Sequence, residues 1–181
     1  MIHKTIFSGF GGQGVLMMGY SLANGAMDSG YNVTFLPSYG AEMRGGTANC
    51  TVCVGDEEIA SPIASTPDHL VVMNIPSLYS FQNRVVRDGI IFLNSSIVDV
   101  TPVRKDVKVI AVDCVKISQD IGDARMANVV MMGAFIKETK IITPDNYLKS
   151  LEKLLGKKKK SVVEMNQKAF MVSYEMKREN K

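Results

Sequence analysis

Gly9-Phe10-Gly11-Gly12-Gln13-Gly14 lies between two stretches of different hydrophobic period. Before it, Lys4-Thr5-Ile6-Phe7-Ser8 reads as a short strand. After it, Leu16, Tyr20, Ala23 and Met27 fall at helical spacing, and Gly30 marks the stop. Asn32–Leu36 is rich in β-formers, and Pro37 is expected to end it. Strand, glycine turn, helix and strand make a βαβ unit. Glycines in such a turn let the backbone bend sharply and come close to a ligand, while the helix N-terminus offers free N–H groups to an anion. The same spacing, G-x-G-x-x-G, is the dinucleotide fingerprint. That fingerprint also needs a carboxylate about 20 residues on, at the end of the second strand, to hold a ribose. Pro37-Ser38-Tyr39 stand there instead, and Asp28 comes before the strand. Nicotinamide or flavin binding is therefore disfavoured. A ligand-free tight turn and a loop facing a ligand or partner subunit both stay open.

Outward from this unit, Tyr39–Gly46 is a glycine-bearing loop, and Thr47–Val54 alternates with the period of a strand that has one wetter face. Gly55-Asp56 signals a turn, with Glu57–Ala60 as a returning strand. Leu70–Met73, Gly89–Leu93 and Val107–Val112 are apolar runs suited to strands buried on both faces. Helices are expected at Pro76–Val86, around Ile117–Ile121, at Met126–Lys137 and at Ser161–Lys177. Another runs from Pro144 to about Leu155, capped by Thr143. Strands alternating with helices give an α/β class. The expected architecture is three-layer αβα, Rossmann-like, with a mixed, mostly parallel sheet.

The chain has 181 residues, which suits a single domain over 1–181. Residues 140–181 form a basic C-terminal helical extension with a charge of +6, against −3 for the remainder. Such a tail suits an acidic partner or a solvated helix, and the solvated helix is preferred; no nucleic acid is expected. No apolar run reaches the roughly 20 residues of a membrane span, and the first residues lack a signal-peptide pattern. A cytoplasmic location without membrane contact is the expectation. Cys50 and Cys53 form C-x-x-C, but residues three apart on a strand point to opposite faces. With Cys114 they supply at most three thiolates, short of a four-ligand structural zinc site. They read as buried structural thiols, and no metal site is expected. No nucleophile–base pair is evident, so no catalytic residue is assigned.

Two segments together carry a family resemblance. Gly9–Val15 and Ser38-Tyr39-Gly40-Ala41-Glu42-Met43-Arg44-Gly45-Gly46-Thr47-Ala48-Asn49-Cys50 resemble the gamma subunit of 2-oxoacid:ferredoxin oxidoreductases. Pro67-Asp68, Met73–Ser77, Gly89-Ile90-Ile91 and Ala127–Ala134 fit the same pattern. The wording of the second loop leans toward the 2-oxoglutarate or branched-chain members, with 2-oxoglutarate favoured.

The resemblance implies a complex that oxidatively decarboxylates a 2-oxoacid to its acyl-CoA and CO₂ and reduces ferredoxin. It implies alpha, beta and delta partner subunits, with thiamine diphosphate, Mg²⁺ and 4Fe-4S clusters held by those partners. This chain would be inactive alone, and no cofactor is assigned firmly to it beyond a coenzyme A contact. The candidate binding residues are Gly11, Gly12, Gln13 and Gly14 of the first loop and Glu42, Arg44, Gly45 and Gly46 of the second. The planar guanidinium of Arg44 suits a phosphate or carboxylate, and an ion pair with Glu42 is the plainer role. Gln13 could bind a ligand or only shape the turn. Asn74 and Asn94 end buried strands and serve either a crevice or a helix cap. A free-standing nucleotide-binding protein, the related indolepyruvate small subunit and a scaffold with a ligand-free loop are the competing readings.

Overall fold

Ile2–Phe10 forms β1. The backbone then turns through Gly12 and Gly14, both at positive φ, into α1 (Val15–Asp28). The remaining strands are β2 (Asn32–Tyr39), β3 (Thr47–Gly55), β4 (His69–Val72), β5 (Ile90–Asn94) and β6 (Lys108–Val112). The remaining helices are α2 (Ile75–Phe81), α3 (Cys114–Ile121), α4 (Ala127–Thr139), α5 (Pro144–Leu155) and α6 (Lys160–Glu175). These elements come from a computed structural model that describes residues 1–39, 46–156 and 158–177.

The strands make one sheet in the order β2-β3-β1-β4-β5-β6. β1, β4, β5 and β6 run parallel, while β3 is antiparallel to both β1 and β2. The class is the expected α/β with a mixed, mostly parallel sheet. The order differs from a simple βαβ unit in one respect: β3 is inserted between β1 and β2.

That insertion corrects two expectations. Residues 57–60 form no returning strand. Both edges of β3 are already taken, by β1 and β2, so no pairing position is left for one. Pro37 does not end β2, which continues to Tyr39. The ladder explains why. Gly11 N–H donates to the Gly46 carbonyl at 2.9 Å, so the even-numbered residues of β3 turn their backbone groups toward β1. Pro37 lies opposite Cys50 and therefore faces away from β3. Its missing N–H forfeits no ladder bond, which is how proline is tolerated on an edge strand.

Two apolar layers flank the sheet. Phe7, Val71, Phe92 and Ile110 pack under α1, α3, α4, α5 and α6. On the other face Ile6, Leu70, Val72 and Ile91 pack under Leu78 of α2 and under Ala64, Val85 and Val98 from coil segments. Phe135 of α4 anchors the thicker layer, with ring centroids 5.4 Å from Phe7 and 5.2 Å from Phe92. Every residue of α4 from Val129 to Ile136 is buried, as expected of a helix apolar all round.

A Cβ on Gly133 would meet the Phe170 carbonyl oxygen at 2.4 Å. Glycine thus permits α6 to lie close against α4. Tyr147 of α5 stacks on Phe170 of α6 at 4.6 Å, so the basic C-terminal helices share the main core. Thr143 caps α5, accepting a bond from Asn146 N–H at 3.2 Å. Among the described residues no helix is long and apolar enough to cross a membrane.

Candidate functional site

α1 leaves the C-terminal end of β1 toward the thicker layer, and α2 leaves β4 toward the thinner one. β1 and β4 are neighbours, so the sheet has a topological switch point between their C-terminal ends. In open α/β sheets such a switch point is where ligands bind. The first glycine loop lies at this switch point.

Gln13 fastens that loop. Its Oε1 accepts the Phe10 N–H at 2.7 Å, and its Nε2 donates to the Met73 carbonyl at 3.1 Å. Met73 N–H in turn donates to the Ser8 carbonyl at 2.9 Å. The Gln13 amide therefore ties the turn to the end of β4. A Cβ on Gly9 would lie 2.6 Å from Gln13 Oε1, so glycine at that position makes room for the tie.

The second glycine loop returns to the first. Phe10 pairs with Thr47, and the Gly11–Gly46 hydrogen bond continues the ladder one step into both loops. Gly11, Gly12, Gln13, Gly14 and Gly46 are thus brought together at one rim of the sheet. Glu42, Arg44 and Gly45 lie outside the described residues.

Met18 is the first residue of α1 whose N–H bonds back, to the Gly14 carbonyl at 3.0 Å. The N–H groups of Val15, Leu16 and Met17 point out of the helix end, where partial positive charge favours an anion. No acidic residue occupies the first turn to oppose one.

A further residue joins the rim that reading the sequence for sites did not single out. A Cβ on Gly14 would meet Asn128 Nδ2 at 2.4 Å, so the half-buried Asn128 side chain at the start of α4 lies against the first loop. Its segment, Ala127–Ala134, was visible as part of the resemblance, but nothing local marks Asn128 as facing residue 14.

Asn74 acts as a helix cap, its Oδ1 accepting from Ser77 N–H at 2.9 Å. Its buried Nδ2 finds no partner among the described residues. Ser77 Oγ accepts from Ser8 Oγ at 2.9 Å beneath it. Asn94 is fully buried, with neither amide atom bonded among the described residues.

Cys50 lies under α1, its thiol 3.7 Å from the Val15 carbonyl oxygen, and Cys53 points to the Pro62 carbonyl oxygen at 3.9 Å. Their separate environments match the opposite faces expected of strand residues three apart. Burial pushes the Cys50 thiol up to about 12 and raises Cys53 as well. Among the described residues no three His, Cys, Asp or Glu side chains converge as metal ligands. The donor set described does not fit an iron–sulfur cluster. Burial also lowers His69 to about 4, against the pull of Asp68, and its Nδ1 lies 3.3 Å from Thr5 Oγ1.

Residues 4–176 match the family described as pyruvate ferredoxin/flavodoxin oxidoreductase. The chain belongs to this family. It is 35% identical over 177 residues to ketoisovalerate oxidoreductase subunit VorA of Methanothermobacter thermautotrophicus, covering 98% of this chain and 37% of that protein. It is 29% identical to 2-oxoglutarate synthase subunit KorC of Methanocaldococcus jannaschii, covering 95% of this chain and 92% of that one. The fold matches the crystal structure of a keto/oxoacid ferredoxin oxidoreductase gamma subunit from Geobacter sulfurreducens with a TM-score of 0.81 and 25% identity, over 96% of each chain. Within the oxidoreductase family the chain is therefore of the gamma-subunit type. It spans little more than a third of the VorA relative's length.

Proposed function

We propose that this chain is the gamma subunit of a thiamine-diphosphate-dependent complex that oxidatively decarboxylates a 2-oxoacid to its acyl-CoA and CO₂ and passes the electrons to ferredoxin. The observation that carries the reading is the Gly11–Gly46 hydrogen bond, which joins the two glycine loops into one rim at the switch point. A scaffold with a ligand-free loop has no need of that union. A free-standing nucleotide-binding protein needs the ribose-binding carboxylate that β2 lacks at its end.

In this proposal the rim faces coenzyme A and the partner subunits. The unpaired N–H groups of α1 hold an anionic group, with Gly11, Gly12 and Gly14 allowing close approach. Glu42, Arg44, Gly45 and Gly46 supply the second side, Arg44 as the cation. Gln13, whose amide is bonded within the chain, serves as a positioning residue. Thiamine diphosphate and Mg²⁺ supply the decarboxylation chemistry, and 4Fe-4S clusters the electron path, from alpha, beta and delta subunits in the cytoplasm. Residues 1–181 work as one unit, with 140–181 as its basic helical part.

The second-loop wording favours 2-oxoglutarate. A branched-chain 2-oxoacid is the second reading, supported by 35% identity to the ketoisovalerate relative against 29% to the 2-oxoglutarate one. The test is purification of the tagged chain from its host together with its partners. The eluate should contain thiamine diphosphate and iron, and it should reduce ferredoxin only when a 2-oxoacid and coenzyme A are both supplied. The rates with 2-oxoglutarate and with 2-ketoisovalerate decide between the substrates. A chain that purifies alone while retaining a dinucleotide would refute the proposal.

A further inference from the structure

The two edges of the sheet are built differently. On β2, Pro37 faces outward and removes a donor, which blunts that edge against strand addition. On β6 the pattern is open. Lys108 N–H donates to the Gly89 carbonyl at 2.8 Å, and the Val112 carbonyl accepts from Ser95 N–H at 2.9 Å. Lys108, Ile110 and Val112 therefore turn their backbone groups toward β5. Val109 and Ala111 must turn theirs outward, where no strand lies among the described residues. They offer two N–H and two carbonyl groups with the two-residue spacing that only an extended backbone can match.

A cavity of about 820 Å³ follows this edge. Val98, Val100 and Pro102 line one wall, and Ala134, Lys137 and Glu138 line the other. Lys137 Nζ is held by the Met176 carbonyl at 2.9 Å, and Glu138 is paired with Lys108. Lys137 is thus neutralised by no carboxylate but is hydrogen-bonded, whereas exposed Asp99 has neither an ion pair nor a hydrogen bond among the described residues. An occupant complementary to this groove is apolar where its side chains alternate between the walls and basic where it passes Asp99. Backbone bonds would supply its affinity and the two walls its specificity.

We propose that the β6 edge receives such an extended segment from a partner subunit, which adds a seventh strand to the sheet. This rests on the reading of the chain as a subunit. A second copy of this chain would present either its β2 edge, blunted by Pro37, or its own β6, whose Ile110 and Val112 side chains are already buried in its own core. The cation that β6 carries, Lys108, is already paired with Glu138.

The test is amide hydrogen exchange on the full chain, alone and in the assembled complex. Val109 and Ala111 should exchange freely in the isolated chain and slow by about a hundredfold on assembly. Ala111→Pro removes an outward N–H and no internal bond. It should leave the circular dichroism unchanged while lowering partner retention about tenfold, and Ala111→Val should retain the partner. Unchanged exchange in a complex that does assemble, or full retention by a folded Ala111→Pro chain, would overturn this proposal and leave the subunit reading intact. Protection that grows with concentration in the isolated chain would overturn it in favour of self-pairing. Failure of any complex to form would refute both. Should Ala111→Pro misfold, the exchange of the unaltered chain decides.

Discussion

Replacing Gly14 by alanine tests the geometry of the rim most directly. Gly14 has a φ of 72°, and a non-glycine residue held there costs roughly 1–2 kcal/mol. The new Cβ would also lie 2.4 Å from Asn128 Nδ2 and 3.0 Å from Asn128 Cβ. The contact with Cβ means that rotating the amide away does not suffice, and α4 or the loop must shift. Overpacking of this kind adds about 1–3 kcal/mol.

Gly12 is the internal control. It is also at positive φ, 98°, but a Cβ there meets nothing within 4 Å. Gly12→Ala should therefore show only the backbone penalty, about 1–2 kcal/mol, and Gly14→Ala roughly 1–3 kcal/mol more. Urea denaturation followed by circular dichroism measures both, since at a slope of about 2 kcal/mol per molar the difference moves the midpoint by about 0.5–1.5 M. Asn128→Ala in the Gly14→Ala background should recover part of the loss, with a coupling of about 1 kcal/mol. Equal costs at Gly12 and Gly14, or strict additivity with Asn128→Ala, would refute the contact between the loop and α4.

Three further outcomes are expected. Phe135→Ala should destabilise the chain by about 3–5 kcal/mol, because it empties the junction of Phe7, Phe92 and His69; the thermal midpoint measures it. His69, held near 4 when folded against an ordinary 6.5, is protonated in the unfolded chain before the folded one. Its contribution is complete above pH 6.5 and is lost as pH falls toward 4, by roughly 3 kcal/mol in full; His69→Gln should flatten the stability curve across that window relative to the parent. Cys50 and Cys53 should resist iodoacetamide at pH 8 and react once urea unfolds the chain, with intact mass counting the adducts; rapid native labelling of Cys50 would contradict its burial.

The helices were legible because their determinants are local. Thr143, Pro144 and Asp145 announce α5 with a cap, a fixed φ and a first-turn charge, and the structure shows the cap. The buried strands β4, β5 and β6 were legible as apolar runs for the same reason. Pairing was not, because it depends on which edges remain free once distant strands meet. Glu57–Ala60 looks like the return of a hairpin only until β2 and β1 are seen to occupy both sides of β3. Pro37 looks like a terminator only until its outward orientation is known.

The same boundary runs through the site. The two glycine loops could be found as segments, and their union at Gly11 and Gly46 follows from the insertion of β3. Asn128 is more than a hundred residues from Gly14, and no period or cap links them. Gln13 was recognisable as polar in a turn, but the Met73 carbonyl that it reaches is supplied by another strand.

The insertion of β3 also bears on how the chain acquires its shape. The antiparallel strands β2, β3 and β1 all lie within the first fifty-five residues, and closing a loop of that modest size carries little entropic penalty. That half of the sheet can register before the parallel strands β4, β5 and β6 have been synthesised. Lys4, Ile6 and Ser8, whose backbone groups face away from β3, then present a prepared template on which β4, and after it β5 and β6, align one by one. A lesion in β3 would accordingly slow maturation of the whole sheet, whereas one in β6 would chiefly hasten its opening.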